Sequence, residues 1–223
     1  TPAATQGARR SQTPSPSRGR PRSASRPAST SDCRNRRARE RGVLVAVNDD
    51  IHAARDITKT HTTDVETFSS NEAGLVGGSL FGTQVFFRKP TAPHTEDSDF
   101  AGKIKGPLPR VDIIYAHASM SPDLIDAAVA NGAKGLVIAG VGDGNMTAPA
   151  LDVLTKAAKS GVVVVRSTRL PSGITLRNNE VNDDEKGFVA SGELNPAKSR
   201  VLLQLALTRT SDPVRIQQMF YEY

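Results

Sequence analysis

Cysteine is nearly absent from this chain: Cys33 is the only one in 223 residues. An internal disulfide and a cysteine-based metal cluster are both excluded, and cysteine usage carries no mark of a redox compartment. His52, His61, His94 and His117 show no metal-ligand spacing, so no metal site is assigned. No apolar run approaches the roughly 20 residues of a membrane span. The first residues lack the apolar core of a signal peptide, so no export signal is expected here, and the sequence leaves the compartment undetermined. Hydrophobic residues make up 37% of the chain, against a globular norm of about 45–50% that also counts glycine. The shortfall is concentrated in residues 1–41, where large apolar side chains are almost missing and lysine is missing altogether.

What fills that segment is arginine. Eleven arginines against Asp32 and Glu40 give residues 1–41 a charge of +9, so a whole-chain net charge of +6 leaves the remainder at −3. The high isoelectric point belongs to the tract, and the mildly acidic body presents no basic field for nucleic acid. Residues 1–38, rich in Ser, Pro, Arg and Ala, have neither helical nor strand periodicity and are expected to be disordered.

Organisation begins at Arg41. Gly42–Asp49 predicts a buried strand ending in a turn, and Leu80–Phe87 a hairpin strand introduced by Gly77-Gly78. Pro90, Pro93, Pro107 and Pro109, with acidic residues between them, mark a linker. The chain therefore divides into the 1–40 tract, a 41–92 unit, a 93–110 linker and a 111–223 domain. Within that domain the apolar segments 111–116, 135–140 and 161–166 alternate with helical stripes. Ser121-Pro122, Asn195-Pro196 and Asp212-Pro213 each open a helix. Near-continuous apolar strands between amphipathic helices predict a parallel sheet covered on both faces.

Three places hold candidate chemistry. Gly140-Val141-Gly142-Asp143-Gly144-Asn145 follows a strand, where glycines let backbone N–H groups approach a ligand and the next helix favours an anion. Its G-x-G-x-G spacing is not the dinucleotide fingerprint, and a ligand-free strand-to-helix connection fits it as well. Lys59 stands among Thr58, Thr60, Thr62 and Thr63, either a nucleophile-activating amine or part of a solvated loop. Glu180 lies in an acidic loop, where a surface carboxylate is the ordinary reading.

Taken together these segments resemble the L-asparaginase/glutaminase amidohydrolases. The likeness is carried by Gly42–Asn48, Ala54–Thr60, Pro109–Tyr115, Gly132–Val137, Ala139–Asn145, Val164–Arg169, Gly187–Gly192, Leu194–Lys198 and Phe220–Tyr223. It runs from about residue 39 to residue 223.

The resemblance implies an asparaginase-like α/β fold, with a parallel βαβ C-terminal domain preceded by the remnant of a larger N-terminal α/β domain. It implies hydrolysis of L-asparagine, or of L-glutamine, to the acid and ammonia through a threonine acyl-enzyme. No cofactor is needed, and the family assembles as a homotetramer. Lys59 matches the catalytic lysine of the family's D-[VI]-T-K-T motif. Asn145 matches the second asparagine of its G-N-G-N turn, and Glu180 the glutamate that holds the substrate's amino group in a neighbouring subunit's site. Asp143 replaces the first asparagine of that turn, which sets a carboxylate beside a pocket for a carboxylate-bearing substrate, and His61 stands where asparagine is usual. The family's T-G-G-T-I and H-G-T-D-T segments occur nowhere in the chain, so by itself it is expected to be inactive. The arginine-rich tract in their place is expected to be an out-of-frame translation of GC-rich DNA. The alternative from another class is a non-catalytic amino-acid-binding module with a nucleic-acid-binding arm, which the tract's lack of aromatic residues disfavours.

Overall fold

The computed structural model describes residues 38–70 and 72–223. The expectations of disorder and of an altered reading frame for the arginine-rich tract fall almost wholly outside those residues.

The 41–92 region is built of short antiparallel strands. Strand β1 (Leu44–Val47) turns through Asn48-Asp49 into β2 (Asp50–Ala53). Both turn residues have positive φ, 49° and 63°, the backbone of a two-residue hairpin turn that asparagine and aspartate tolerate. The apolar run at 42–49 was expected to be buried, but β1 is the half-buried edge of its sheet. The buried strand is β2, whose Ile51, His52 and Ala53 are all buried and whose His52 Nδ1 lies 2.9 Å from Ser70 Oγ. After the two-residue pair β3 (Thr58–Lys59) and β4 (Phe68–Ser69) comes a second hairpin, β5 (Gly77–Leu80) and β6 (Thr83–Phe86). It completes the order β1-β2-β5-β6.

From Val111 the chain alternates as its pattern predicts. The order is β7 (Val111–Tyr115), α1 (Asp123–Ala130), β8 (Gly135–Gly140), α2 (Ala148–Lys159), β9 (Val163–Thr168), α3 (Asp183–Lys186), β10 (Phe188–Ala190), α4 (Pro196–Ala206) and α5 (Pro213–Glu222). The four strands are parallel and lie in sequence order, each paired with the next. Residues 111–115, 135–140 and 163–168 match the expected strands to within two residues, whereas β10, only three residues long, was not foreseen. Strand side chains alternate between faces. Val137, Val163, Val165 and Val189 meet Leu203 and Ile216 of α4 and α5, while Leu136, Ile138, Val164 and Phe188 meet Ile125 and Leu154 of α1 and α2. Strand β8, covered on both faces, is buried along its whole length.

Helix starts follow their capping residues. The Asn195 side chain accepts the Lys198 N–H and Asp212 accepts that of Val214, each with proline in the first turn. At α1 the boundary falls one residue later than expected, at Pro122, without a side-chain cap. The 93–110 stretch is anchored at its middle. The Tyr223 hydroxyl accepts the Asp99 N–H at 2.7 Å, and its ring packs on Phe100, 5.2 Å between centroids.

Candidate active site at the carboxyl ends of the parallel strands

In a parallel sheet the loops that can meet a ligand leave the carboxyl ends of the strands. Three such loops matter here: residues 141–147 after β8, 169–182 after β9, and 191–195 after β10. They are joined to one another. Thr168 Oγ1 donates to the Gly142 carbonyl at 2.6 Å, Thr175 N–H donates to the Gly192 carbonyl at 2.9 Å, and Asp143 reaches across to the middle loop.

The turn after β8 is compact because of its glycines. A β-carbon at Gly140 would lie 2.4 Å from the Gly144 backbone, and Gly144 itself has φ +77°. Val141 and Asn145 close the turn with two backbone hydrogen bonds of 2.8 Å, leaving Asn145 half-buried at its end. Beneath the turn stands Arg166 on β9, fully buried and paired with the equally buried Asp183 at 2.6 and 2.7 Å. A buried charge needs its donors satisfied. Arg166 also donates to the carbonyls of Asp143 at 2.8 Å and Leu176 at 3.0 Å, so one guanidinium holds the turn, the next loop and the start of α3.

Glu180 is exposed at the end of the middle loop. The residues before it are held from both sides: Asn178 N–H donates to Asp183, Arg177 donates to Gln217 and the Phe188 carbonyl, and Asn179 Nδ2 donates to Asp143. The Asp143 carboxylate, expected to face a substrate pocket, is taken up by the Leu176 N–H and the Asn179 amide, each at 2.7 Å.

Lys59 arrives from the other half of the chain. On β3 successive side chains point to opposite faces: Lys59 is exposed, and Thr58 turns toward the C-terminal domain. Thr58 Oγ1 accepts from Asn195 Nδ2 at 3.2 Å and from Lys198 Nζ at 3.3 Å, at the first turn of α4. Around this contact Thr58, Thr168, Gly173, Gly192, Asn195 and Lys198 line a polar cleft of about 50 Å³, room for a water or two rather than an amino acid. Partial burial pulls the Lys198 amine below the ordinary lysine value of 10.5; Asp56 opposes the shift and Arg55 adds to it. The junction is braced by Arg55, paired with Glu193 at 2.9 Å and bonded to the Tyr223 carbonyl, and by Asp56, paired with Arg88 at 2.8 Å.

Asn145 and Glu180 thus stand in neighbouring loops tied through Asp143, whereas Lys59 reaches the same end of the sheet by way of Thr58. No hydrogen bond joins any two of the three. Lys198 lies within the Leu194–Lys198 likeness without an expected role; its only signal in the sequence is a lysine three residues into a helix opened by Asn195-Pro196. Among the described residues no group of His, Cys, Asp and Glu could hold a metal ion.

Two family models match the chain: "Asparaginase, N-terminal" over residues 24–92 and "Glutaminase/Asparaginase C-terminal domain" over 110–220. The chain belongs to the glutaminase/asparaginase family. The N-terminal match begins at residue 24, upstream of residue 39, from which the sequence motifs carry the likeness. This asparaginase-family chain is 50% identical over 183 residues to a protein of Haemophilus influenzae named "Probable L-asparaginase periplasmic", covering 82% of this chain and 52% of that protein. It is 49% identical over 183 residues to "L-asparaginase 2" of Escherichia coli K12, covering 82% and 53%. It is 38% identical over 187 residues to "Glutaminase-asparaginase" of Pseudomonas fluorescens, covering 83% and 51%. The chain spans about half the length of the curated relatives it matches. Among the described residues no helix is long and apolar enough to cross a membrane.

Proposed function

We propose that the protein hydrolyses the side-chain amide of L-asparagine to L-aspartate and ammonia, with L-glutamine as the alternative substrate. The observation that carries this is the 50% identity over 183 residues to a protein named as an L-asparaginase. In this reading a threonine hydroxyl attacks the amide carbon, the C–N bond breaks to release ammonia, and water then hydrolyses the acyl-enzyme. Lys59 is the catalytic residue supplied by this chain, its amine assisting the proton transfers around threonine hydroxyls. Asn145 and Glu180 hold the substrate, Glu180 through the substrate's ammonium. No cofactor enters.

Several features support the assignment. Asn145 and Glu180 sit at the carboxyl ends of parallel strands, where ligand sites form in such sheets. The exposed Glu180 is free to serve a neighbouring subunit, in keeping with a homotetramer. The small cleft at Thr58 suits a site that is completed by further polypeptide. No segment of this chain carries the T-G-G-T-I or H-G-T-D-T motifs, so the chain alone supplies the lysine and the substrate-holding residues but not the attacking hydroxyl. The domain scheme of 1–40, 41–92, 93–110 and 111–223 belongs to the same proposal.

The test is ammonia release from asparagine and glutamine. The chain alone should give background rates. Joined to the preceding segment of the Escherichia coli relative, it should release ammonia, and Lys59→Met should abolish that release. A folded fusion that stays inactive on both amides would sink the reading.

A further inference from the structure

We infer that Asp143 is a positioning residue for Glu180: its carboxylate fastens the loop carrying Glu180 to the turn carrying Asn145. Residues 176–179 are anchored on two sides. The inner anchors run to α3 and beyond it, from Asn178 to Asp183 and Asp184, and from Arg177 to Asp184 and Gln217. The outer anchor is Asp143, joined at Leu176 by Arg166, which donates to the Leu176 carbonyl. Its Oδ1 accepts the Leu176 N–H and its Oδ2 accepts Asn179 Nδ2, both at 2.7 Å, so the carboxylate spans the first and last residues of the segment. The Asp143 backbone is fixed in turn, since its carbonyl accepts from the buried Arg166.

The two anchors do different things. With the inner one intact, α3 keeps its place and the loop stays folded. Arg166 joins turn and loop at the Leu176 end, through the Asp143 and Leu176 carbonyls; at the Glu180 end the tie to the Asn145 turn is the Asp143 carboxylate, and Asn179, the residue it grips last, is bonded in sequence to Glu180. Charge-assisted hydrogen bonds to a carboxylate are among the stronger side-chain contacts, and two of them on one residue restrict both ends of a four-residue span. Asparagine at 143 can keep both bonds. Its oxygen would accept the Leu176 N–H, and its amide would donate to Asn179 once that side chain turns its oxygen inward. Alanine keeps neither. That Glu180 meets substrate rests on the proposed function; the clasp does not, and its test needs no turnover.

Backbone ¹⁵N relaxation on the full chain reads it. In the unaltered protein the amides of Asn179 and Glu180 should have order parameters near the rigid value of about 0.85. In Asp143→Ala they should fall below about 0.6, while Asn178, α3 and strands β8 and β9 stay unchanged, and Asp143→Asn should restore them. Should Asp143→Ala not fold, Asn179→Ala removes the outer bond alone and should loosen Glu180 in the same way. Unchanged values at Asn179 and Glu180, loosening spread through β8 and β9, or no recovery in Asp143→Asn would each overturn the assignment.

Discussion

Removing Asp183 should be the most damaging single change to a carboxylate in this molecule. Asp183 and Arg166 are both fully buried and joined by two hydrogen bonds of 2.6 and 2.7 Å. Asp183→Leu leaves the guanidinium buried without its counter-charge, although the carbonyls of Asp143 and Leu176 still accept from it. It also strips the Asn178 N–H of its acceptor. Breaking a buried ion pair from one side costs about 3–5 kcal/mol, a large part of the roughly 5–15 kcal/mol that holds a domain folded. With a urea slope of about 2 kcal/mol/M, the midpoint should drop by about 1.5–2.5 M. Arg166→Met should cost a similar amount, because it leaves the carboxylate buried and frees two carbonyls. The double variant removes both charges, so its cost should fall short of the sum by about 1–3 kcal/mol. Equilibrium urea unfolding of the four proteins decides the matter. Additive costs, or an Asp183→Leu cost below about 1 kcal/mol, would mean that water reaches the pair and that Arg166 is not the pivot described above.

Four further outcomes are expected. Lys198 has a depressed folded value, so the folded state disfavours its charged form. Its contribution should be fully recovered above the ordinary 10.5 and lost as pH falls through the folded value; Lys198→Met should therefore gain stability relative to wild type at neutral pH and lose that advantage near pH 11, and a difference constant with pH would refute this. Gly140→Ala would force a β-carbon to within 2.4 Å of the Gly144 backbone and should destabilise by about 1–3 kcal/mol, read as a lower melting temperature, with Gly78→Ala, where a β-carbon meets nothing nearer than 3.5 Å, as the control. In the joined, active protein, Glu180→Ala should lower kcat/KM about ten- to a hundred-fold, the worth of a charge-assisted hydrogen bond to the ammonium. Mixing Lys59→Met subunits with Glu180→Ala subunits should regain activity if Glu180 acts across a subunit contact; mixed oligomers without recovery would place it within its own subunit.

The parts of the fold that could be read from the sequence are those written in local patterns. Asn195-Pro196 and Asp212-Pro213 announce α4 and α5 because a capping side chain and a proline act within one turn. The valine-rich run 162–165 announces a strand covered on both faces. Strand β10 is only Phe188–Ala190, too short for any periodicity, and is recognised by its pairing with β9. Gly42–Asp49 misleads for a related reason: an apolar run looks the same at a sheet edge as inside it, and the buried partner Asp50–Ala53 alternates over only four residues, with Ile51 and Ala53 as its apolar members. The site divides similarly. Lys59, Asn145 and Glu180 stand in recognisable segments. The approach of Lys198 to Thr58 spans 140 residues of sequence, and the engagement of Asp143 with Asn179 depends on where a loop closes. Neither is a property of neighbouring residues.

The sequential order of the parallel strands bears on synthesis. Each strand from β8 to β10 pairs with the one translated just before it, so that sheet can grow as the polypeptide leaves the ribosome. The hairpins of residues 44–86 emerge earlier, yet their tethers come last: Thr58 waits for Asn195 and Lys198, and Arg55 for Glu193 and Tyr223. At roughly 5–20 residues per second, the interval is on the order of ten seconds. During that time Thr58 and Arg55 lack the C-terminal partners that hold them in the finished fold, and nascent chains would be most exposed to proteases or chaperones between those two events.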